Sequence, residues 1–421
     1  MQLLPRRRRS GEPVRPFVRP STVWLFAALV TTGCASVPIA PLPNDFHWGV
    51  AISGFQSEGS FPDSNWGRYI AQKDSGLAPY RDSVDFYRRY REDIALAAAM
   101  GVNTFRFSIE WARVMPRRGE VNEEALRYYA ALFEALEAHR LTPMVTLLHF
   151  VTPGWVVDEG GLGDDRVVEA FAQFVTLVAE RFARRSRWWL TINEPSHFLT
   201  LERRHGGLPA AEVERAKDRL VKMHRRAYEI LKSANAEARV STNVVWEPAP
   251  ASWFDDWVFD RVKDRIDYVA VDYYYALHPN LSVLHAARGK YWKVTLTPGA
   301  LLTALREYHA RAPGLPLYVV ENGMATDDGL ARPSGYTRSR HLEEHVLQLQ
   351  RARAEGLDVV GYNVWSLTDN YEWGDYRNRF GLYTVDVEGD RTLRRRPTDG
   401  VETYQRLIQQ RGVAAGSRAG R

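Results

Sequence analysis

Cysteine is almost absent from this chain: Cys34 is the only one among 421 residues, so no internal disulfide can form. Apolar runs of membrane-spanning length are missing too. The stretch STVWLFAALV, residues 21–30, is far shorter than the roughly 20 residues a spanning helix needs. Excess charge of one sign is missing from the body of the protein. The formal charge of +5 comes from residues 1–33, where six arginines face one glutamate, and the remaining residues carry as many acids as bases. A neutral body lacks the broad basic surface that phosphate recognition needs, which argues against nucleic acid as a partner. Low-complexity stretches are few. With 45% hydrophobic residues the chain has enough apolar material for a large core and is not a disordered protein.

The basic head and the short apolar stretch have the layout of an export signal. TTGCAS follows, and it resembles the lipobox of bacterial lipoproteins, in which the cysteine becomes the lipidated first residue; Thr31 stands where leucine is usual. The expectation is a lipoprotein-like signal peptide over residues 1–34, a lipid anchor at Cys34, and a protein facing the periplasm or the cell surface. Cleavage after Ala35 and an uncleaved anchor are the alternatives. Residues 35–43 read as a proline-rich spacer, and residues 411–421 as a flexible tail.

Between them, eight strand-like runs alternate with longer segments of helical period. The runs are FHWGVAIS, NTFRFSIE, TPMVTLLHF, RWWLTINE, RVSTNVVWE, IDYVAVDYYY, LPLYVVEN and LDVVGYNVWSL. Segments such as DRVVEAFAQFVTLVAERFA place apolar residues every three to four positions, as a helix covering a sheet requires. The pattern predicts a single (β/α)8 TIM barrel over residues 44–410. Two Rossmann-like halves are the alternative, but no G-x-G-x-x-G follows any of the strands.

Two glutamates end such runs, Glu194 in LTINEP and Glu321 in PLYVVENG. Side chains at the C-terminal ends of barrel strands converge on one mouth, so carboxyls from the fourth and seventh strands face each other there. Glycoside hydrolysis needs two opposed carboxyls and neither metal nor cofactor. Taken singly, each glutamate is equally what a salt-bridged surface residue looks like, the tryptophans read as core, and His149 reads as a satisfied strand-end histidine. The ordered series FHWGVAISGFQSEG, TFRFSIEWARVMP, HFVTPGW, TINEP, YVVENG and GYNVWSLTDNYEWGDYRNRFGLYTVD resembles glycoside hydrolase family 1, the retaining β-glycosidases, from about Asn44 to Leu407.

That resemblance implies a retaining exo-β-glycosidase, most simply a β-glucosidase, acting on glycosides or short oligosaccharides without cofactor. It assigns Glu194 as acid/base, Asn193 as the group on the sugar 2-hydroxyl, and Glu321 as nucleophile with Arg106 and Tyr274 beside it. Gln56, His149 and Glu372 become hydroxyl-binding residues, Trp373 an indole donor and Trp365 a stacking platform. Two residues depart from the pattern: Phe150 stands where many members have tryptophan, and Asp272 where an asparagine is expected. SHFLTLERRHGGLPA and the segment after Trp373 look trimmed, which implies a more open aglycone side. A transglycosidase on the same site and an inactive carbohydrate-binding lipoprotein are the rival readings. HLEEH, residues 341–345, fits the H-x-x-E-H zinc pattern, but it falls on the helix after strand seven, expected far from the mouth.

Overall fold

The computed structural model describes residues 39–246, 257–275 and 281–414. The expected signal peptide, Cys34 and the end of the tail lie outside the described residues. Among the described residues, no helix is long and apolar enough to cross a membrane.

All eight expected strands form, each shorter than its apolar run. They are β1 (His47–Ala51), β2 (Thr104–Ser108), β3 (Thr142–Leu148), β4 (Trp188–Ile192), β5 in two pieces (Arg239–Ser241 and Asn243–Val245), β6 (Val269–Asp272), β7 (Leu317–Asn322) and β8 (Val359–Trp365). Neighbours pair in parallel, and β1 pairs with β8. The ring closes at β5, whose first piece pairs with β4 and whose second pairs with β6. Thr242 leaves the ladder between the pieces, and its hydroxyl donates to the Ile192 carbonyl at 2.6 Å. This is a (β/α)8 barrel.

Most of the runs extend past their strands at the C-terminal end, although single residues there still bond the neighbouring strand, as the Tyr273 N–H does to the Glu321 carbonyl at 3.0 Å. Tyr273 to Tyr275, read as part of a strand, lie beyond the end of β6 at Asp272. Within the ring, Met144, Trp188, Leu190, Tyr268, Ala270, Tyr318 and Val320 form one buried cluster, filling the barrel with layers of bulky side chains.

The helices follow from their periodicity and caps. Among them are α1 (Phe86–Ala99), α2 (Glu123–Ala138), α3 (Arg166–Phe182), α4 (Pro195–Arg204), α5 (Val213–Ala234), α6 (Trp257–Val262), α7 (Ala300–Arg311), α8 (Arg338–Ala354) and α9 (Asp399–Gln410). α3 buries Val167, Phe171, Phe174, Val175 and Val178 on one face. Asn122 caps α2 by accepting from the backbone N–H groups of Glu124 and Ala125. Gly101, at φ 84°, lies two residues beyond α1, where a left-handed residue ends a helix.

Two expectations change at the edges of the domain. The spacer is not free as far as residue 43, since Leu42 is buried and its N–H donates to the Arg411 carbonyl at 2.7 Å. The tail does not begin at 411: Val413 is buried, and its N–H donates to Gln350 Oε1 at 2.8 Å. Both ends thus supply an apolar side chain to the main hydrophobic core.

Candidate active site

The fully buried strand β4 delivers Asn193 and Glu194 to the mouth of the barrel. Glu194 has φ 37°, left-handed and uncommon for a residue with a side chain, and Pro195 opens α4 directly after it. The chain therefore reverses sharply at the residue that carries the carboxyl. Across the mouth, Glu321 lies within β7 and is registered against Asp272 of β6.

Glu321 is held by two donors. One oxygen forms an ion pair with Arg106 Nη1, and the other accepts from the Tyr274 hydroxyl at 2.6 Å. Arg106 is itself completely buried on β2, where Nη2 donates to Asn193 Oδ1 at 2.6 Å and Nε to Thr146 Oγ1 at 3.1 Å. The same Asn193 oxygen accepts from Asn243 Nδ2 at 2.7 Å. With its oxygen saturated by two donors, Asn193 keeps its amide N–H groups for another partner.

Carboxyl oxygens of Glu194, Asp272 and Glu321 lie within 4.8 Å of one another. Burial, and then the negative charge of Glu321, push the Glu194 carboxyl up to about 8. It is a protonated acid at neutral pH. Tyr274 is held well above the ordinary phenol range by burial and by Glu321, so it stays a hydrogen-bond donor.

A cavity of about 340 Å³ opens over the Glu194 and Glu321 carboxyls, and His149, Phe150, Trp365, Glu372 and Trp373 are among the residues that line it. The His149 ring stacks near-parallel to Trp365 at 5.7 Å and to Trp373 at 5.8 Å between centroids. Burial and the nearby Arg106 charge hold His149 well below its usual value, so it is neutral. Phe150 meets Trp373 edge to face at 5.0 Å. Gln56 is fully buried; its Nε2 donates to Glu372 Oε2 at 3.1 Å and to Asn370 Oδ1 at 3.2 Å. Burial and Glu321 raise the Glu372 carboxyl well above its usual range. The residues that the resemblance assigned to the reaction and the sugar thus gather at one mouth. Gln56, Arg106 and Asp272 differ from the others in standing behind the lining.

The rest of the lining was not legible in the sequence. His197, Thr200 and Arg204 reach the cavity from α4, Tyr275 and Phe380 from loops, and Tyr291 from a short 3-10 turn. The spacing of His197, Thr200 and Arg204 after Glu194, one helical face, is the only signal that points to any of them. The zinc pattern dissolves. His341 Nε2 pairs with Asn322 Oδ1 at 3.0 Å, His345 Nδ1 with the His341 carbonyl at 2.7 Å, and Glu344 with Arg340. The expectation that this helix is remote from the mouth is corrected: Asn322 adjoins Glu321, because α8 starts on the mouth side of the barrel.

A (β/α)8 barrel that sets a clamped carboxylate against a buried, protonated carboxyl under an aromatic cavity defines an O-glycoside hydrolase. Residues 39–253 and 282–413 match the model of glycosyl hydrolase family 1, and the chain belongs to that family. It is 28% identical to beta-glucosidase 28 of Arabidopsis thaliana, over 91% of this chain and 86% of that one. It is 26% identical both to beta-glucosidase A of Thermotoga maritima, over 89% and 99%, and to an aryl-phospho-beta-D-glucosidase of Bacillus subtilis, over 88% and 98%. The solved Thermotoga maritima beta-glucosidase in complex with deoxynojirimycin superposes with a TM-score of 0.77 at 23% identity, over 89% of this chain and all of that one.

Proposed function

We propose that the protein is a retaining β-glucosidase working by double displacement. The observation that carries this is the separation of the carboxyls. Oxygens of Glu194 and Glu321 within 4.8 Å leave space for direct attack on the anomeric carbon, whereas an inverting pair stands about 6.5–9.5 Å apart to admit a water. Glu321, ion-paired and hydrogen-bonded, attacks the anomeric carbon as the bond to the leaving oxygen breaks. Glu194 gives that oxygen its proton. Esterification removes the Glu321 charge, which lowers the proton affinity of Glu194, so it then accepts a proton from the water that cleaves the ester. Two inversions at one carbon return a β product.

Asn193, with its amide N–H groups uncommitted, is placed to bind the sugar 2-hydroxyl. Glu372, fixed by Gln56, and neutral His149 supply further polar contacts, against the indole walls of Trp365 and Trp373. Trp373, the adjacent Glu372 carboxyl and the lack of any lysine in GDYRNRFG favour an unphosphorylated glycone over a 6-phosphosugar. Activity against a panel of nitrophenyl glycosides, with the product anomer followed by NMR, tests the reading. Release of β-glucose is expected; an α product would overturn retention, and preference for another glycone would correct the sugar.

The arginine-rich head, the short apolar stretch and TTGCAS support export and a lipid anchor at Cys34, facing the periplasm or cell surface. Changing Cys34→Ala is expected to release the protein from membranes, and undiminished retention would refute the anchor.

A further inference from the structure

The third carboxyl of the cluster has no role in the reaction above. Asp272 ends β6, completely buried, facing Glu321 across one strand pair and Val245 across the other. Its two oxygens are treated unequally. Oδ2 accepts a hydrogen bond from Asn243 Nδ2, while no N–H or O–H of another group donates to the buried Oδ1. A buried, unpartnered carboxylate oxygen is costly, whereas a protonated one needs only an acceptor. Carboxyl oxygens of Glu194 and Glu321 both lie within 4.8 Å, and the one that the Asp272 side chain hydrogen-bonds is Glu194.

The charged and titratable groups facing Asp272 come from every side. They are Arg106 on β2, Glu194 at the end of β4, Glu321 on β7, Tyr274 beyond the end of its own strand and Tyr268 just before that strand begins. One arginine therefore serves three acids, and it is already committed to Glu321 and Asn193. Glu321 also has the Tyr274 hydroxyl. Among the described residues, the side-chain hydrogen bond at the Glu194 carboxyl is with Asp272. Burial, then repulsion from Glu321 and Glu194, raises Asp272 well above the usual carboxyl range.

We propose that Asp272 is a neutral positioning acid, protonated on Oδ1 and donating that O–H to the Glu194 carboxyl. The inference rests on the reading of Glu194 as acid/base and deepens it. When Glu194 has passed its own proton to the leaving group, its new carboxylate lies in a buried site; the Asp272 O–H is the donor that stabilises it until water is activated. Asp272 keeps its proton throughout, so the proton exchanged with leaving group and water is always that of Glu194. An asparagine at this position offers only a neutral amide N–H, a weaker donor to a carboxylate than a carboxylic acid.

The test is Asp272→Asn, which preserves shape and the Asn243 contact, in the full-length protein. The alkaline limb of kcat/KM on a nitrophenyl β-glucoside, set by Glu194 near 8, is expected to move to higher pH by roughly half a unit or more, because the variant loses the better donor to ionised Glu194. A move to lower pH would mean that Asp272 is an anion in the native protein, and an unmoved limb would mean that it only fills space; either overturns the proposal. Infrared absorption of neutral carboxyl groups at pH 6 gives a second readout that needs no turnover. The wild type is expected to exceed Asp272→Asn by one carboxylic acid, and equal absorption would also overturn the proposal. Absence of any glycoside hydrolysis by the wild type would instead refute the β-glucosidase reading, leaving the infrared result to decide the protonation.

Discussion

Beside the Glu194, Asp272 and Glu321 cluster, the barrel buries a second pair of glutamates, Glu58 and Glu110, with an arginine and a tyrosine of its own. Arg113 Nε donates to Glu58 Oε2 at 2.8 Å, and the Tyr129 hydroxyl to Glu58 Oε1 at 3.1 Å. Glu110 pairs with the Ser108 hydroxyl, which also accepts from the Gly54 N–H at 2.7 Å. Burial, then the charge of Glu58, pushes Glu110 up to about 8, the same value that burial and Glu321 give Glu194. The size of the shift therefore does not distinguish a catalytic acid from a structural one. Two other features do. The cavity is lined by Glu194 and Glu321 and by neither Glu58 nor Glu110, and only the cluster at the mouth has a buried carboxyl oxygen to which no other group donates.

Replacing the nucleophile gives the largest expected contrast between the two clusters. Glu321→Gly should reduce turnover by several orders of magnitude, and added azide should restore release of the leaving group with an α-glycosyl azide as product. Azide entering from the face that Glu321 vacates has no second inversion to undergo. Normal activity in this variant, or a β-azide, would remove Glu321 from the reaction.

The sealed cluster should respond in stability rather than in mechanism. Glu58→Ala strands the Arg113 guanidinium, only 8% exposed, without its ion-pair partner. Breaking a buried pair this way costs about 3–5 kcal/mol, read as a lower midpoint in denaturant. The product anomer and the dependence of rate on leaving group should not change in the folded fraction. A changed leaving-group dependence would mean that the two clusters are coupled.

Most of the architecture could be read from the sequence because it depends on periodicity. Alternating apolar strands and amphipathic helices such as α3 reveal a barrel, and strand ends reveal where its mouth lies. Glu194 and Glu321 were legible for that reason. The rim was less so: His197 and Arg204 share one face of α4, a weak signal, while Tyr275, Tyr291 and Phe380 acquire their meaning from chain paths that no periodic signal encodes. Asp272 was legible as a departure but not in its consequence. Whether a second acid pairs with an arginine or holds a proton depends on the three-dimensional fact that Arg106 is already taken. The His341 and His345 pair failed in the opposite sense: a local pattern suggested metal, while the partners of both rings are the backbone and Asn322.

The smallest expected effect separates the two glutamates raised to about 8. Above that pH Glu194 loses the proton it must give the leaving group, so kcat/KM should fall with a midpoint near 8. Glu110 titrates over the same range without touching substrate. Its folded-state value is above the ordinary 4.5, so the folded protein binds the proton more tightly than the unfolded chain. That contribution to stability is complete below about 4.5 and is lost progressively as pH rises towards 8. Glu110→Gln, always neutral, should therefore flatten the decline of Tm between pH 5 and pH 9 while leaving the alkaline midpoint of kcat/KM where it was. If the midpoint moved with Glu110→Gln, the sealed cluster would share its charge with the mouth, and the distinction drawn from cavity lining would fail. If the Tm profile did not flatten, Glu110 would be ionised in the fold, and Glu58 would then face a second negative charge with only Arg113 to balance both.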